Sequence, residues 1–170
     1  MDDLLWLARS DRIHVPTRMI PIPLEDLLED VLDQYMPQAE QKQIDLKADL
    51  HSPLSVLGGS QQLKRLFANL ITNALHYTPS GGTVTLSSQI EVDDWVSVCI
   101  VDTGIGIAPE HLPFIFDRFW RADQGRAHRE GGSGLGLAIA QAIAHQHQGE
   151  ITVQPQPHGG TCFRVGLPTV

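Results

Sequence analysis

The stretch from Val96 to Ile107 constrains this chain most. Val96 to Val101 is an apolar run broken by one Ser and one Cys, the pattern of a buried strand. The run stops at Asp102, and Gly104 and Gly106 follow, one residue apart. Two glycines so placed let the backbone turn tightly and approach a ligand closely. A carboxylate at a strand end beside such a loop is a hydrogen-bond acceptor in a partly buried pocket, and it suits a ligand with an exocyclic amine. Asp and Gly are also ordinary turn residues, so the weight comes from three further stretches: Asn69 to Pro79, Phe114 to Arg121 and Gly131 to Leu137.

Composition narrows the class. A chain of 170 residues, 42% hydrophobic and 19% charged, suits one soluble domain with a real core. The net charge of −8 disfavours a basic nucleic-acid surface. Arg118, Arg121, Arg126 and Arg129 are the exception, clustered near the glycine stretches. Cys99 and Cys162 each lie in an apolar run and read as reduced core thiols; their spacing favours neither a disulfide nor a metal. No apolar stretch approaches 18 residues and no signal-peptide pattern opens the chain. The expected location is cytoplasmic, with membrane anchoring of a parent chain left open.

Periodicity supplies the elements. Residues 1–12 read as the end of a helix without its beginning, hence a piece of a longer protein, followed by a linker or edge strand to Pro23. Leu24, Leu27, Leu28, Val31, Leu32 and Tyr35 mark an amphipathic helix to Gln41. Ile44 to Leu50 alternates as a strand, and Leu54 to Leu57 is a second, short one. Ser60 reads as the N-cap of a helix whose apolar stripe runs from Leu63 to Leu75. Thr83 to Ile90 and Trp95 to Val101 form an antiparallel hairpin. A short helix is expected over 109–115, a mobile loop over 117–132, a helix over 135–148, and closing strands over 150–153 and 161–167. The sum is α+β: a two-layer α/β sandwich with a mixed, mostly antiparallel sheet of about five strands backed by three helices.

Asn69 and Asn73 fall one turn apart on the edge of the apolar stripe, where an amide is costly unless bonded or ligating. Capping or helix–helix bonding explains either one alone. Both, followed by His76 and Tyr77, suggest a ligand running along the helix. An amide oxygen can ligate Mg²⁺ beside phosphate oxygens, and a tyrosine ring can stack on a base. Gly131-Gly-Ser-Gly-Leu-Gly136 runs into a helix N-terminus, where free amides and the dipole favour an anion. It is not a Walker loop, since no Lys-Ser/Thr follows, nor the dinucleotide fingerprint, since Leu137 and Ile139 stand where a third glycine belongs.

With these residues assembled, the chain resembles the catalytic ATP-binding domain of sensor histidine kinases, within the Bergerat-fold ATPases. Asn69-Leu-Ile-Thr-Asn73-Ala-Leu-His-Tyr77 matches the asparagine box. Asp102-Thr-Gly104-Ile-Gly106-Ile107 matches the first glycine box. Ile115-Phe116-Asp-Arg-Phe119-Trp-Arg121 matches the phenylalanine box. Gly132-Ser-Gly134-Leu135-Gly136-Leu137 matches the second glycine box, and Gly160-Thr161-Cys-Phe163 the strand lining the adenine pocket. The resemblance covers about Pro23 to Pro168. It implies a Bergerat ATP-binding fold over 16–170, preceded over 1–15 by the tail of a dimerisation helix and a linker.

The resemblance also implies roles. Asp102 would accept from the adenine amine, with Thr161 helping through a water and Tyr77 stacking near the base. Asn73 would ligate Mg²⁺ and Asn69 hold phosphate. Gly104, Gly106, Gly132, Gly134 and Gly136 would hinge a lid and cradle phosphates. Phe116 and Phe119 would pack that lid, and Arg121 would reach the phosphates. Ile107, Leu135, Leu137 and His76 complete the expected nucleotide contacts, with Asn69, Asn73 and Arg121 as the catalytic group. The γ-phosphoryl of ATP would go to a histidine on a separate dimerisation domain, then to a response-regulator receiver domain. The parent kinase would be a homodimer, the present chain a monomer.

Two departures stand out: His76 replaces the family's usual Lys, and Gly59 an often acidic residue. None of the eight histidines has the acceptor setting; His14-Val-Pro-Thr-Arg lacks the acidic neighbour and the helix. His145 and His147 read as solvated surface. The rivals are a Bergerat kinase of another class, such as an anti-sigma serine kinase, and a degenerate domain serving as an interaction surface.

Overall fold

Strand alternation and helical stripes meet in one hydrophobic core. The computed structural model describes residues 2–11, 18–51, 53–122 and 132–170. In order they form α1 (Asp2–Ser10), β1 (Ile20–Pro23), α2 (Leu24–Gln41), β2 (Asp45–Leu50), β3 (Ser55–Gly58) and α3 (Ser60–Tyr77). Then come β4 (Thr83–Ile90), β5 (Trp95–Asp102), a 3-10 turn (Leu112–Phe114), α4 (Gly136–Gln146), β6 (Glu150–Pro155) and β7 (Thr161–Pro168).

The main sheet has the order β2-β4-β5-β7-β6. β2 and β4 run parallel and the other neighbours antiparallel. β1 and β3 make a separate two-stranded ladder. Alternation decides which face is covered. Val84, Leu86, Val96, Val98, Ile100, Phe163, Val165 and Leu167 point to the helices and are buried. Residues between them, such as Thr85, Cys99, Cys162 and Arg164, lie on the opposite face and are half-buried or exposed. The stripe of α3 closes the core from the other side, from Leu63 through Phe67 and Ile71 to Leu75. Each such side chain contributes about 1.5–3 kcal/mol on burial.

Three sequence expectations change. Ser60 is the first helical residue, not the cap; Gly59 takes the N-cap position and no side chain caps the helix. The two cysteines are not in the core: alternation along β5 and β7 puts both on the open sheet face, where they are half-buried. His147 is not solvated surface but 3% exposed. Its Nδ1 donates to Ile143 O at 2.8 Å, and its Nε2 accepts from Gly59 N–H at 3.1 Å. It thereby ties the end of α4 to the start of α3. His145 is exposed as expected.

The expected short helix at 109–115 shrinks to the 3-10 turn. The expected mobile loop falls largely on 123–131, outside the described residues, with Gly125, Arg126, Arg129 and Gly131. α1 packs against α4, and Leu7 is 1% exposed in the common core. Among the described residues no helix is long and apolar enough to cross a membrane.

Candidate functional site

One face of α3 becomes the floor of a cavity of about 350 Å³. Asn69, Thr72, Asn73 and His76 sit at i, i+3, i+4 and i+7 and all line it. Thr72 was missed by sequence reasoning, although the same spacing that picked out the asparagines includes it. Tyr77 continues the wall, its ring edge-on to His76 with centroids 4.8 Å apart.

β5 and β7 deliver the acceptor. Asp102 faces Thr161 across the ladder, and both side chains point to the helix face and line the cavity. Asp102 is 3% exposed. Burial pushes its carboxyl above the ordinary aspartate range, while backbone N–H groups of Gly104 and Thr161 oppose the shift. The Gly104 bond is 2.9 Å, made to Oδ1. Behind it Ile105 N–H donates to Tyr77 O at 3.2 Å, fastening the glycine loop to the end of α3.

The start of β7 approaches β5 so closely that position 160 admits no side chain. Gly160 has φ +94°, and a Cβ there would lie 1.9 Å from Asp102 O.

The other end of the cavity is built from amides, glycines and a cation. Asn69 packs against Gly136 at the start of α4; a Cβ on Gly136 would lie 3.8 Å from Asn69 Cγ. The Nδ2 of Asn69 is buried and has no hydrogen-bond partner among the described residues. An orphaned buried donor costs about 1–3 kcal/mol. A guanidinium nitrogen of Arg121 would sit 3.7 Å from a Cβ on Gly132, beside the glycine stretch that enters α4.

Backbone contact joins the two boxes: Phe119 N–H donates to Gly134 O at 3.0 Å. Gly134 has φ +71°, and a Cβ there would meet Phe119 Cα at 2.9 Å.

Most expected site residues therefore gather at one cavity: Asn69, Asn73, His76, Tyr77, Asp102, Gly106, Ile107, Arg121, Gly132, Gly134, Gly136, Leu137 and Thr161. Gly104, Phe116, Phe119 and Leu135 do not line it. Leu135 is buried in the core. Phe116 packs edge-on against Phe163 at 6.3 Å, and Phe119 is exposed. Sequence reasoning also missed His111 and Trp120, whose rings lie 5.3 Å apart on the cavity wall. Their segment has no periodicity to read.

Comparisons with known proteins fit this geometry. The family model described as histidine kinase-, DNA gyrase B- and HSP90-like ATPase matches residues 58–170. Sensor histidine kinase RppB of Synechocystis sp. is 40% identical over 169 residues, covering 98% of this chain and 37% of the relative. Sensor histidine kinase CusS of Escherichia coli is 37% identical over 135 residues, covering 79% of this chain and 28% of that one. The present chain thus spans well under half of these curated relatives. Full-length ShkA in complex with AMPPNP superposes with a TM-score of 0.88 at 28% identity, over 99% of this chain and 35% of that one. Mycobacterial sensor histidine kinase MprB gives a TM-score of 0.77 at 26% identity, over 89% and 97%. An orphaned donor, a buried carboxylate and a glycine-bordered helix start around one cavity, together with these matches, place the chain in the histidine kinase-, DNA gyrase B- and HSP90-like ATPase family, as the ATPase domain of a sensor histidine kinase.

Proposed function

We propose that the cavity binds ATP with Mg²⁺ and that the domain presents the γ-phosphoryl to a histidine on a separate dimerisation domain. The observation that carries this reading is the pairing of two unlike ends in one cavity. Asp102, buried and fixed by Gly104 and Thr161 amides, accepts from the adenine amine. The unpartnered Asn69 Nδ2 donates to phosphate, with Arg121 and the glycine-lined start of α4 adding positive potential. AMPPNP in the ShkA complex supports the nucleotide class. Tyr77 offers its ring to the base, and Thr161 supports Asp102 through a water.

Asn73 lines the cavity one turn from Asn69, and its amide oxygen suits Mg²⁺. Among the described residues no group of three or more His, Cys, Asp or Glu forms an acidic or thiolate cage. That fits a cation bound mainly through substrate phosphates. When bound, Mg²⁺ neutralises charge on the β- and γ-phosphate oxygens. His76, in place of the usual lysine, gives a weaker phosphate contact. Gly106, Gly132, Gly134 and Gly136 let the backbone come close to the phosphates, and Phe116 holds the lid base against the core.

In the transfer itself a histidine nitrogen on the acceptor domain attacks γ-phosphorus, a P–N bond forms, the bond to the bridging oxygen breaks and ADP leaves. Little protein covalent chemistry is required; positioning carries the rate. A response-regulator receiver domain then takes the phosphoryl group, and the parent kinase works as a cytoplasm-facing homodimer.

The test uses radiolabelled ATP with this chain alone, then with a dimerisation domain added in trans. Binding without self-labelling, followed by acid-labile label on the added domain, is the expected result. Label on this chain alone would contradict the missing acceptor. Neither binding nor transfer would favour a degenerate domain.

A further inference from the structure

Cys99 on β5 and Cys162 on β7 share the sheet face opposite the helices, and nothing in the nucleotide site uses them. Cys99 stands directly across from Arg164, and Cys162 across from Val101. The thiols are therefore diagonal neighbours on adjacent strands. The Cys162 thiol hydrogen-bonds to Cys99 sulfur, which brings the Cys99 thiol well below its ordinary range; burial opposes the shift and the Arg164 guanidinium adds to it. Cys162 moves the other way, because Cys99 takes the charge and burial adds to it.

Glu91, ion-paired to Arg164 at 2.5 Å, is the other charge near the pair, and Asp102 acts on Cys162 through the sheet from the helix face. Both cysteines are half-buried, so a small reagent reaches them from the open face. Cys99 lies directly across from the Arg164 cation, which favours a thiolate there, and Cys162 lies one diagonal step away on the same face, in the place of a resolving thiol.

We propose that Cys99 and Cys162 form a modification site for hydroperoxides, with Cys99 as the attacking thiol and Cys162 as the resolving one. The Cys99 thiolate attacks one peroxide oxygen. An S–O bond forms, the O–O bond breaks, and the leaving alkoxide or hydroxide takes a proton from water. Cys162 then attacks the sulfenic sulfur, the S–S bond forms, and the oxygen departs as water with the Cys162 proton. Two thiols lose two electrons in total and one hydroperoxide gains them.

The position gives the disulfide a consequence. The next rung beyond Val101–Cys162 is Asp102–Thr161, at the nucleotide cavity. Diagonal Cα atoms in an antiparallel pair are roughly 7–8 Å apart, and a relaxed disulfide needs about 4.4–6.8 Å. Closing the bond draws β5 and β7 together beside the adenine acceptor, so oxidation weakens nucleotide binding; this consequence rests on the ATP reading. A disulfide formed under such strain is readily reduced by small thiols.

The test treats the reduced chain with hydrogen peroxide, titrates free thiols and maps unreduced peptides by mass spectrometry. An intrachain Cys99–Cys162 disulfide is expected, reversible by dithiothreitol. Cys99→Ser should slow thiol loss at least tenfold. Cys162→Ser should still react, stopping at a Cys99 sulfenic acid trapped by dimedone, and Arg164→Gln should slow the first step several-fold. Thiol loss in wild type no faster than for free cysteine, or equal rates in the two serine variants, would overturn the site.

In parallel, a fluorescent ATP analogue should bind the oxidised chain several-fold more weakly. Unchanged affinity in the disulfide form would overturn the coupling. Failure of the reduced chain to bind the analogue would count against the ATP reading instead, leaving the thiol readout intact.

Discussion

Asp102 keeps a carboxylate where water barely reaches, held by two backbone amides, Gly104 from the loop after β5 and Thr161 from the start of β7. Its raised pKa means the ionised form is costly in the fold, a cost accepted for an acceptor aimed at the cavity. Asp102→Asn should therefore leave the domain folded while lowering ATP affinity. A hydrogen bond to a charged acceptor is worth roughly 1.5–3 kcal/mol, so calorimetry should read about a tenfold to hundredfold loss. Unchanged affinity would remove Asp102 from the adenine contact. The same group sets a pH dependence. As pH falls, Asp102 takes up its proton above the ordinary value of 3.8. Wild-type affinity should thus decline earlier than an unshifted aspartate allows, and the decline should vanish in the Asn variant. Asn69→Ala removes the orphaned donor. It should weaken ATP binding with fold stability unchanged or raised, since a buried unpaired amide goes with it.

Joints between elements rest on glycines and on one histidine. Gly159 and Gly160 both have φ +94°, yet only Gly160 lies against Asp102 O; at Gly159 a Cβ would find its nearest neighbour at 3.9 Å. Ala at either position meets the left-handed penalty of about 1–2 kcal/mol. Gly160→Ala must also push β7 off β5. Urea unfolding should rank Gly160→Ala clearly below Gly159→Ala, with nucleotide binding lost only in the former. Equal costs would mean the close approach is relaxed in solution.

At the other joint, His147 is neutral, its pKa lowered mainly by burial and only partly restored by the Ile143 carbonyl. A lowered folded pKa gives stability that is fully present above the unfolded value of 6.5 and lost as pH falls through the folded one. One extra proton taken up on unfolding corresponds to a slope of up to about 1.4 kcal/mol per pH unit. His147→Gln should flatten the wild-type loss of stability just below pH 6.5. An unaltered slope would place the titration elsewhere.

For the molecule as a whole, α1 either rides loosely on the domain or belongs to its core. Arg65–Asp3 holds the helix itself and Arg118–Asp11 the residue just after it, each at 2.5 Å. Both are partly exposed, and such pairs are worth about 0–1 kcal/mol. Trp6 adds a stacking partner for Arg65 at 4.9 Å. Leu7, 1% exposed, outweighs them: Leu7→Ala should cost about 2–5 kcal/mol, or roughly 2–4 °C in Tm per kcal/mol for a chain of this size. A cost below about 0.5 kcal/mol would mean α1 is only loosely attached. Asp3 also lines the cavity, so the docked helix forms part of its wall.

Elements with a strong period were legible in the chain alone. The stripe of α3, the ends of α2 and the β4–β5 hairpin follow from spacing, because burial of one face repeats at 3.6 or 2 residues. Asn69, Asn73, Asp102 and the glycine stretches stood out because they break the apolar pattern around them, and the fold gathers most of them at one cavity. Other features came only from packing. Which face of β5 and β7 is covered is fixed by the helices, so Cys99 and Cys162 looked like core residues and are not. His147 sits at a helix end, where sequence suggests solvent, yet Gly58 leaves space for its ring and Gly59 gives it a donor; a Cβ on Gly58 would lie 2.8 Å from the ring. His111 and Trp120 join the cavity from an aperiodic segment. The sequence by itself determined the periodic elements and the polar residues at their ends, since those depend on neighbours within a turn or a strand. Tertiary structure decided burial, the cavity walls and the docking of α1, since each depends on groups far apart in the chain that meet only after the sheet has formed.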